Sequence, residues 1–176
     1  MLIRTATRQD MESVRDIYLS ALDAGERESI SQLAVDLLTQ DTAAPALSWI
    51  AEADGIAVGH IAFSPVTVKG SAERIGFILA PLAVRPSHQK RGIGSELIRR
   101  GIDRLSEAGP DILLVYGDPG YYGRFGFDTS SAESYIPPYP LTYPFGWQAR
   151  PLGDWTPPAS ALRIECAAPL NEPALW

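Results

Sequence analysis

"IGFILAPLAVRPSHQKRGIGSEL", residues 75–97, passes from an apolar stretch through a proline and a basic turn with two glycines into residues of helical period. Ile75 to Val84 is apolar on both faces, which predicts a central strand covered on both sides. Pro81 lies late in that strand and has no N–H for a ladder, so regular pairing is expected to fail there. From Gly92 or Ile93 a helix is predicted to about Ala108, with Ile93, Leu97, Ile98, Ile102 and Leu105 inward and Gly109-Pro110 ending it. Glu96 with Arg100, and Arg99 with Asp103, are i, i+4 pairs on its solvated face. A strand, a glycine turn and a helix start together leave several backbone N–H groups unpaired at the positive end of a helix dipole. Such a start suits ordinary capping and, equally, a bound phosphate or pyrophosphate.

Upstream, Leu2 to Ala6 reads as a first strand. Thr7 or Asp10 can then cap a helix whose set Met11, Val14, Ile17, Tyr18, Ala21 and Leu22 has the 3.6 period. A second helix is predicted over Glu26 to Thr39, with Ile30, Leu33, Ala34, Leu37 and Leu38 on one stripe. "LSWIAEA", Asp54-Gly55 and "IAVGHIAFSPVTV" make a hairpin around a tight primed turn. Downstream, "DILLVYGD" is a strand parallel to Ile75–Val84 if the crossover is right-handed, followed by a short helical turn "YYGRFGF". "ALRIECA" is the best strand in the Pro- and aromatic-rich remainder. The class is mixed α/β, with antiparallel strands first and one parallel crossover late.

A chain of 176 residues is expected to form a single domain. Its net charge of -6 argues against nucleic acid or an anionic membrane as partner, so the basic cluster His88, Lys90, Arg91, Arg99 and Arg100 has to act locally. No apolar run is long enough for a membrane span and no signal peptide is read at the N-terminus, so a cytoplasmic location is expected. Cys166 is the only cysteine and reads as a small buried hydrophobe. "GIGSEL" has Leu97 where a dinucleotide fingerprint wants its third glycine, and the Gly-Lys-Ser/Thr ending of a P-loop is absent.

"PLAVRPSHQKRGIGSELI" resembles the acyl-CoA signature of the GNAT superfamily of N-acyltransferases, which reads Gln or Arg, two residues, Gly, one residue, then Gly or Ala. Gln89, Lys90, Arg91, Gly92, Ile93 and Gly94 follow it throughout. "YGDPGYYGRFGF" is similar to the segment carrying the family's thiolate-protonating tyrosine. Together with "GHIAFSPV" it suggests the YhbS-like branch of N-acetyltransferases. The likeness covers residues 1–127 and is poor over 128–176. It implies a GNAT-like fold, a mostly antiparallel sheet splayed between two parallel strands with helices on both faces. It also implies an N-acetyltransferase that moves an acetyl group from acetyl-CoA to a primary amine by direct attack, without a metal.

The resemblance further implies that Leu82, Ala83 and Val84 pair through their backbone with the pantetheine arm, and that the amides of Arg91 to Ser95 hold the pyrophosphate. Lys90 and Arg91 either help with phosphate charge or form a solvated basic face. Tyr122, five residues before Phe127, takes the role of general acid, the alternative being a core tyrosine with a satisfied hydroxyl. Tyr121 is expected to pack and Asp118 to cap the next turn. No acidic residue lies in Ile75–Val84, so the base role is vacant or filled from elsewhere: Glu52, His60 and Glu73 are the candidates, with a structural role the competing reading for His60 and a water chain the other route for the proton. Tyr135, Tyr139, Tyr143, Phe145, Trp147 and Trp155 are expected to cover the sheet, with an acceptor pocket or a homodimer contact as the other uses of such a wall. A peptide or small-molecule amine is the expected partner. A non-catalytic acyl-CoA-binding module is the competing class, and a dinucleotide enzyme a third.

Overall fold

The computed structural model describes residues 1–107, 109 and 111–176. Ala108 and Pro110, named above for the end of the third helix, lie outside the described residues. The strands β1 (Leu2–Thr5), β2 (Leu47–Ala53), β3 (Ile56–Val68), β4 (Arg74–Val84), β5 (Ile112–Tyr116) and β7 (Trp147–Pro151) follow one another in that hydrogen-bonding order in an open mixed sheet, with β8 (Leu162–Glu165) pairing both β3 and β6 (Tyr135–Ile136). By contacts the chain forms two compact units, residues 1–63 with 80–101, and residues 64–79 with 102–176. Among the described residues, no helix is long and apolar enough to cross a membrane.

The first unit begins with β1 (Leu2–Thr5), α1 (Met11–Ala21) and α2 (Arg27–Thr39). β2 (Leu47–Ala53) pairs antiparallel with β1 and with β3 (Ile56–Val68), of which this unit holds the part to Phe63. Asp54 and Gly55 both have positive φ, 53° and 77°, as a primed hairpin turn requires. Strand alternation then sorts the side chains. Ile50 lies opposite His60, and Ile50 belongs to a buried cluster with Val14, Ile17 and Tyr18 of α1 and Ala34 of α2. The neighbouring residue Gly59 faces Ile93 and Leu97 of α3 (Ile93–Ser106) instead, and Phe63 lies under Gly101 of the same helix. Helices therefore cover both faces.

The second unit is built on β5 (Ile112–Tyr116). It pairs in parallel with the start of β4 (Arg74–Val84), from Gly76↔Ile112 to Leu79↔Val115, and that register ends there. Pro81 was expected to break regular pairing, and the outcome is more specific: β4 stays extended to Val84, while its pairing with β5 stops two residues before the proline. On the other side β5 pairs antiparallel with β7 (Trp147–Pro151), a strand the sequence reading did not find because "WQARP" has no alternating pattern and ends in proline. α4 (Pro119–Tyr122) follows β5. The late strand is β8 (Leu162–Glu165), joined to β3 at Thr67 and Val68 and to β6 (Tyr135–Ile136).

Candidate active site

In the first unit, β4 ends at Val84 and the chain turns through a 3-10 turn, Pro86–His88. Three hydrogen bonds fix that exit. Arg85 N–H donates to Val58 O at 2.8 Å, Arg85 Nε to Ala57 O at 2.9 Å, and Gln89 Nε2 to Val84 O at 3.0 Å. The Gln89 side chain thus ties the loop to its strand, which gives it a framework role beside the ligand role expected of it. Lys90 and Gly92 then take left-handed conformations, φ 59° and 82°. Successive N–H groups in such a turn point to one side and form an anion-binding concavity. The first helical bond of α3 runs from Glu96 N–H to Gly92 O at 3.0 Å, so the N–H groups of Arg91 to Ser95 have no intrahelical acceptor. Gln89 to Gly92 are exposed, Ile93 is buried beneath them, and Gly94 and Ser95 are half-buried. Of the other expected ligand residues, Ala83 is buried in the core cluster, and Leu82 and Val84 are half-buried.

In the second unit, Asp118 caps α4, accepting from Gly120 N–H at 2.9 Å, as its place after a strand predicts. Tyr122 ends that turn. Its ring lies edge-on to Tyr121 at 5.1 Å and to Phe127 at 5.9 Å, so the five-residue spacing to Phe127 reflects a ring contact. On a further side it meets Gly117, where an added Cβ would come within 2.5 Å of it. The hydroxyl has no hydrogen-bond partner among the described residues. Desolvation first, then the negative fields of Tyr121 and Asp118, push its pKa above the ordinary phenol value. Arg150 of β7 donates to Phe125 O and holds the segment that follows.

The three base candidates have separate fates. Glu52 Oε1 accepts from Arg4 through Nε at 2.9 Å and Nη2 at 2.7 Å, in a cluster with Asp10, so this carboxylate is engaged in joining β1 to β2. Glu73 is exposed and immediately precedes β4, whereas Leu82–Val84 are that strand's last residues. His60 is fully buried, with Nδ1 2.8 Å from the Tyr18 hydroxyl and Nε2 buried without a hydrogen-bond partner among the described residues. Desolvation lowers its pKa to about 3. Tyr18 was read only as one of the inward residues of α1, and nothing in its spacing marked it as the partner of His60.

The aromatic tail divides. Tyr135 and Trp147 are buried as cover, with Trp147 Nε1 donating to Tyr135 O at 2.8 Å, while Tyr143 and Phe145 are 60% and 64% exposed. Cys166 is buried and free, its thiol pushed up to about 12 by burial and by the neighbouring Glu165.

A mixed sheet in which β4 and β5 run parallel, a glycine-turn helix start and a tyrosine turn after the next strand make the arrangement of an acyl-CoA-dependent transferase. Residues 11–127 match the model of the acetyltransferase (GNAT) family. The chain is 38% identical over 136 residues to the Escherichia coli (strain K12) protein named as the uncharacterized N-acetyltransferase YjhQ, covering 76% of this chain and 74% of that one. It superposes with a TM-score of 0.83 and 26% identity on the crystal structure of the GNAT family N-acetyltransferase YhbS from Escherichia coli in complex with CoA, over 97% of this chain and 92% of that one. A GNAT family acetyltransferase from Brucella melitensis in complex with acetyl-CoA gives a TM-score of 0.69 at 32% identity, with 97% of each chain covered. The chain belongs to the GNAT family of acetyltransferases.

Proposed function

We propose that this enzyme transfers an acetyl group from acetyl-CoA to a primary amine by direct attack, and that residues of both compact units work as one GNAT domain. The family match, which takes in residues of both units, supports the single-domain reading. The N–H groups of Arg91 to Ser95 receive the pyrophosphate, because five donors at the positive end of a 14-residue helix complement that charge. The backbone of Leu82 to Val84, beyond the end of the parallel register, pairs with the pantetheine arm. Lys90 and Arg91, exposed beside the turn, add local positive charge to an acidic protein.

In the transfer the amine nitrogen forms a bond to the thioester carbonyl carbon. The carbon–sulfur bond then breaks with its electron pair on sulfur, and the amine loses a proton to solvent. The observation that carries this reading is Tyr122, a ring held on several sides with a hydroxyl that no group among the described residues accepts from. Its raised pKa keeps it protonated at neutral pH, and the departing sulfur is the acceptor it lacks. A thiolate whose conjugate acid has a pKa near about 8.5 is a weaker base than so desolvated a phenolate. Tyr122 therefore stabilises the leaving sulfur chiefly as a hydrogen-bond donor. We assign no base role to Glu52, Glu73 or His60, since the first is engaged with Arg4, the second lies at the other end of β4 and the third is enclosed.

The test is thermal shift with acetyl-CoA, CoA and NAD, then thiol release against amines. Acetyl-CoA and CoA are expected to raise Tm and NAD to leave it unchanged. Tyr122→Phe is expected to lower kcat about 10²-fold with acetyl-CoA affinity kept. Coenzyme binding without thiol release from any amine would instead identify a binding module.

A further inference from the structure

A cavity of about 400 Å³ opens in the second unit between the end of β5 and the segment before β7, lined by Tyr116, Gly117, Asp118, Tyr143, Phe145 and Gly146. That volume is in the range of small-molecule sites. Its walls are prebuilt. Gly117 N–H donates to Gly146 O at 2.9 Å, Tyr143 N–H to the Tyr116 hydroxyl at 2.8 Å, and Gly146 N–H to Tyr143 O at 2.8 Å. The buried Gln148 side chain donates to both Gly117 O and Gly146 O. Gly146 suits so close an approach, because a Cβ there would stand a tight 3.1 Å from Gly117 O and from the Tyr116 ring and would make these neighbours give by a few tenths of an ångström. Tyr116 is stacked on Trp176 at 6.2 Å and 11°, which fixes the plane it offers.

The lining is aromatic with one charge. Tyr143 and Phe145, tilted at 56° with centroids 5.9 Å apart, are among the most exposed large apolar side chains of the protein, in a position where folding alone gives no reason for them. Asp118 uses Oδ1 on Gly120 and leaves Oδ2 without a partner among the described residues. Gly117 is shared: it lines the cavity, and its Cα abuts the ring of Tyr122. Flat apolar walls beside a carboxylate select a cation carrying an aromatic group.

We propose that this cavity receives the aromatic group of the acceptor, a primary amine on a short aliphatic chain from an aromatic ring, with Asp118 attracting the ammonium form, which gives one proton to solvent before the neutral amine attacks. This inference rests on the acetyltransferase reading above. The alternative source of an aromatic group is the acyl chain of the coenzyme thioester.

The experiment is thiol release by the full chain with acetyl-CoA and 2-phenylethylamine, tryptamine, butylamine or spermidine, repeated with phenylacetyl-CoA. The expected result is a kcat/KM for 2-phenylethylamine about ten-fold or more above that for butylamine. Tyr143→Ala and Phe145→Ala bring that ratio toward one while the thermal shift by acetyl-CoA persists, and Phe145→Trp restores it. Both positions are exposed, so the variants are expected to fold, which Tm reports. An equal preference for butylamine, or an aromatic preference that survives both alanine variants, overturns the inference and leaves the acetyltransferase reading standing. A preference for phenylacetyl-CoA over acetyl-CoA that disappears in Phe145→Ala assigns the cavity to the acyl group and likewise overturns it. Acetyl-CoA binding with no amine acetylated removes the transferase reading, and this inference with it.

Discussion

Tyr122 and His60 feel the same desolvation and move in opposite directions, because burial disfavours the charged form of each, the phenolate and the imidazolium. For His60 this becomes a dependence of stability on pH. Its folded pKa, about 3, lies below the ordinary 6.5, so between those values the unfolded chain binds the extra proton. The stability linked to His60 is complete above pH 6.5 and is lost as pH falls toward 3. Urea unfolding of the wild type between pH 7.5 and 4 is expected to lose up to about 1.4 kcal/mol per pH unit from this group, and His60→Asn to flatten the slope. Asp10, held at about 2 chiefly by its hydrogen bonds to Arg4, keeps its full share of stability above its ordinary 3.8 and loses it only as pH falls below that value, so the two windows are separable. Equal slopes for wild type and variant above pH 4 would contradict the enclosed, neutral imidazole.

At the scale of elements, α3 was legible because its signals are local. All five residues predicted inward, Ile93, Leu97, Ile98, Ile102 and Leu105, are buried. The pairing on the outer face was less so: Glu96 meets Arg99 at 2.9 Å, one residue nearer than the expected Arg100. Gly92→Val tests the helix start. An added Cβ there meets nothing within 4 Å, so the cost to folding is conformational, roughly 1–2 kcal/mol for a side chain at φ 82°. A turn pulled out of that conformation misdirects the N–H groups, and titration calorimetry is expected to report CoA affinity reduced about ten-fold or more. CoA binding unchanged in Gly92→Val would move the pyrophosphate elsewhere. β7 was missed for the converse reason, since "WQARP" becomes a strand through pairing with β5 and has little strand signal of its own.

Over the whole molecule, the Pro-rich tail is where reading residue by residue failed. Trp176 is 6% exposed, stacks on Tyr116, meets Trp147 edge-on at 6.0 Å and donates through Nε1 to Leu170 O at 3.0 Å. The last residue of the chain is thus a core residue of the second unit and a support of the proposed acceptor cavity. Trp176→Ala is expected to cost about 3 kcal/mol or more in urea unfolding, and a loss below about 1 kcal/mol would show that the tail is only loosely attached. Residues alone determined the hairpin, the inward stripe of α3, the change at Pro81 and the glycine turn, because each depends on backbone geometry and on neighbours a few positions away. Only the tertiary structure decided which side chains are already engaged. Glu52 is taken by Arg4 from 48 residues away, His60 by Tyr18 from 42, and the tail aromatics divide into cover and cavity wall according to strands they meet only after folding. Side-chain partnership is a property of distance in space, and sequence spacing carries no measure of that distance once a chain has turned back on itself.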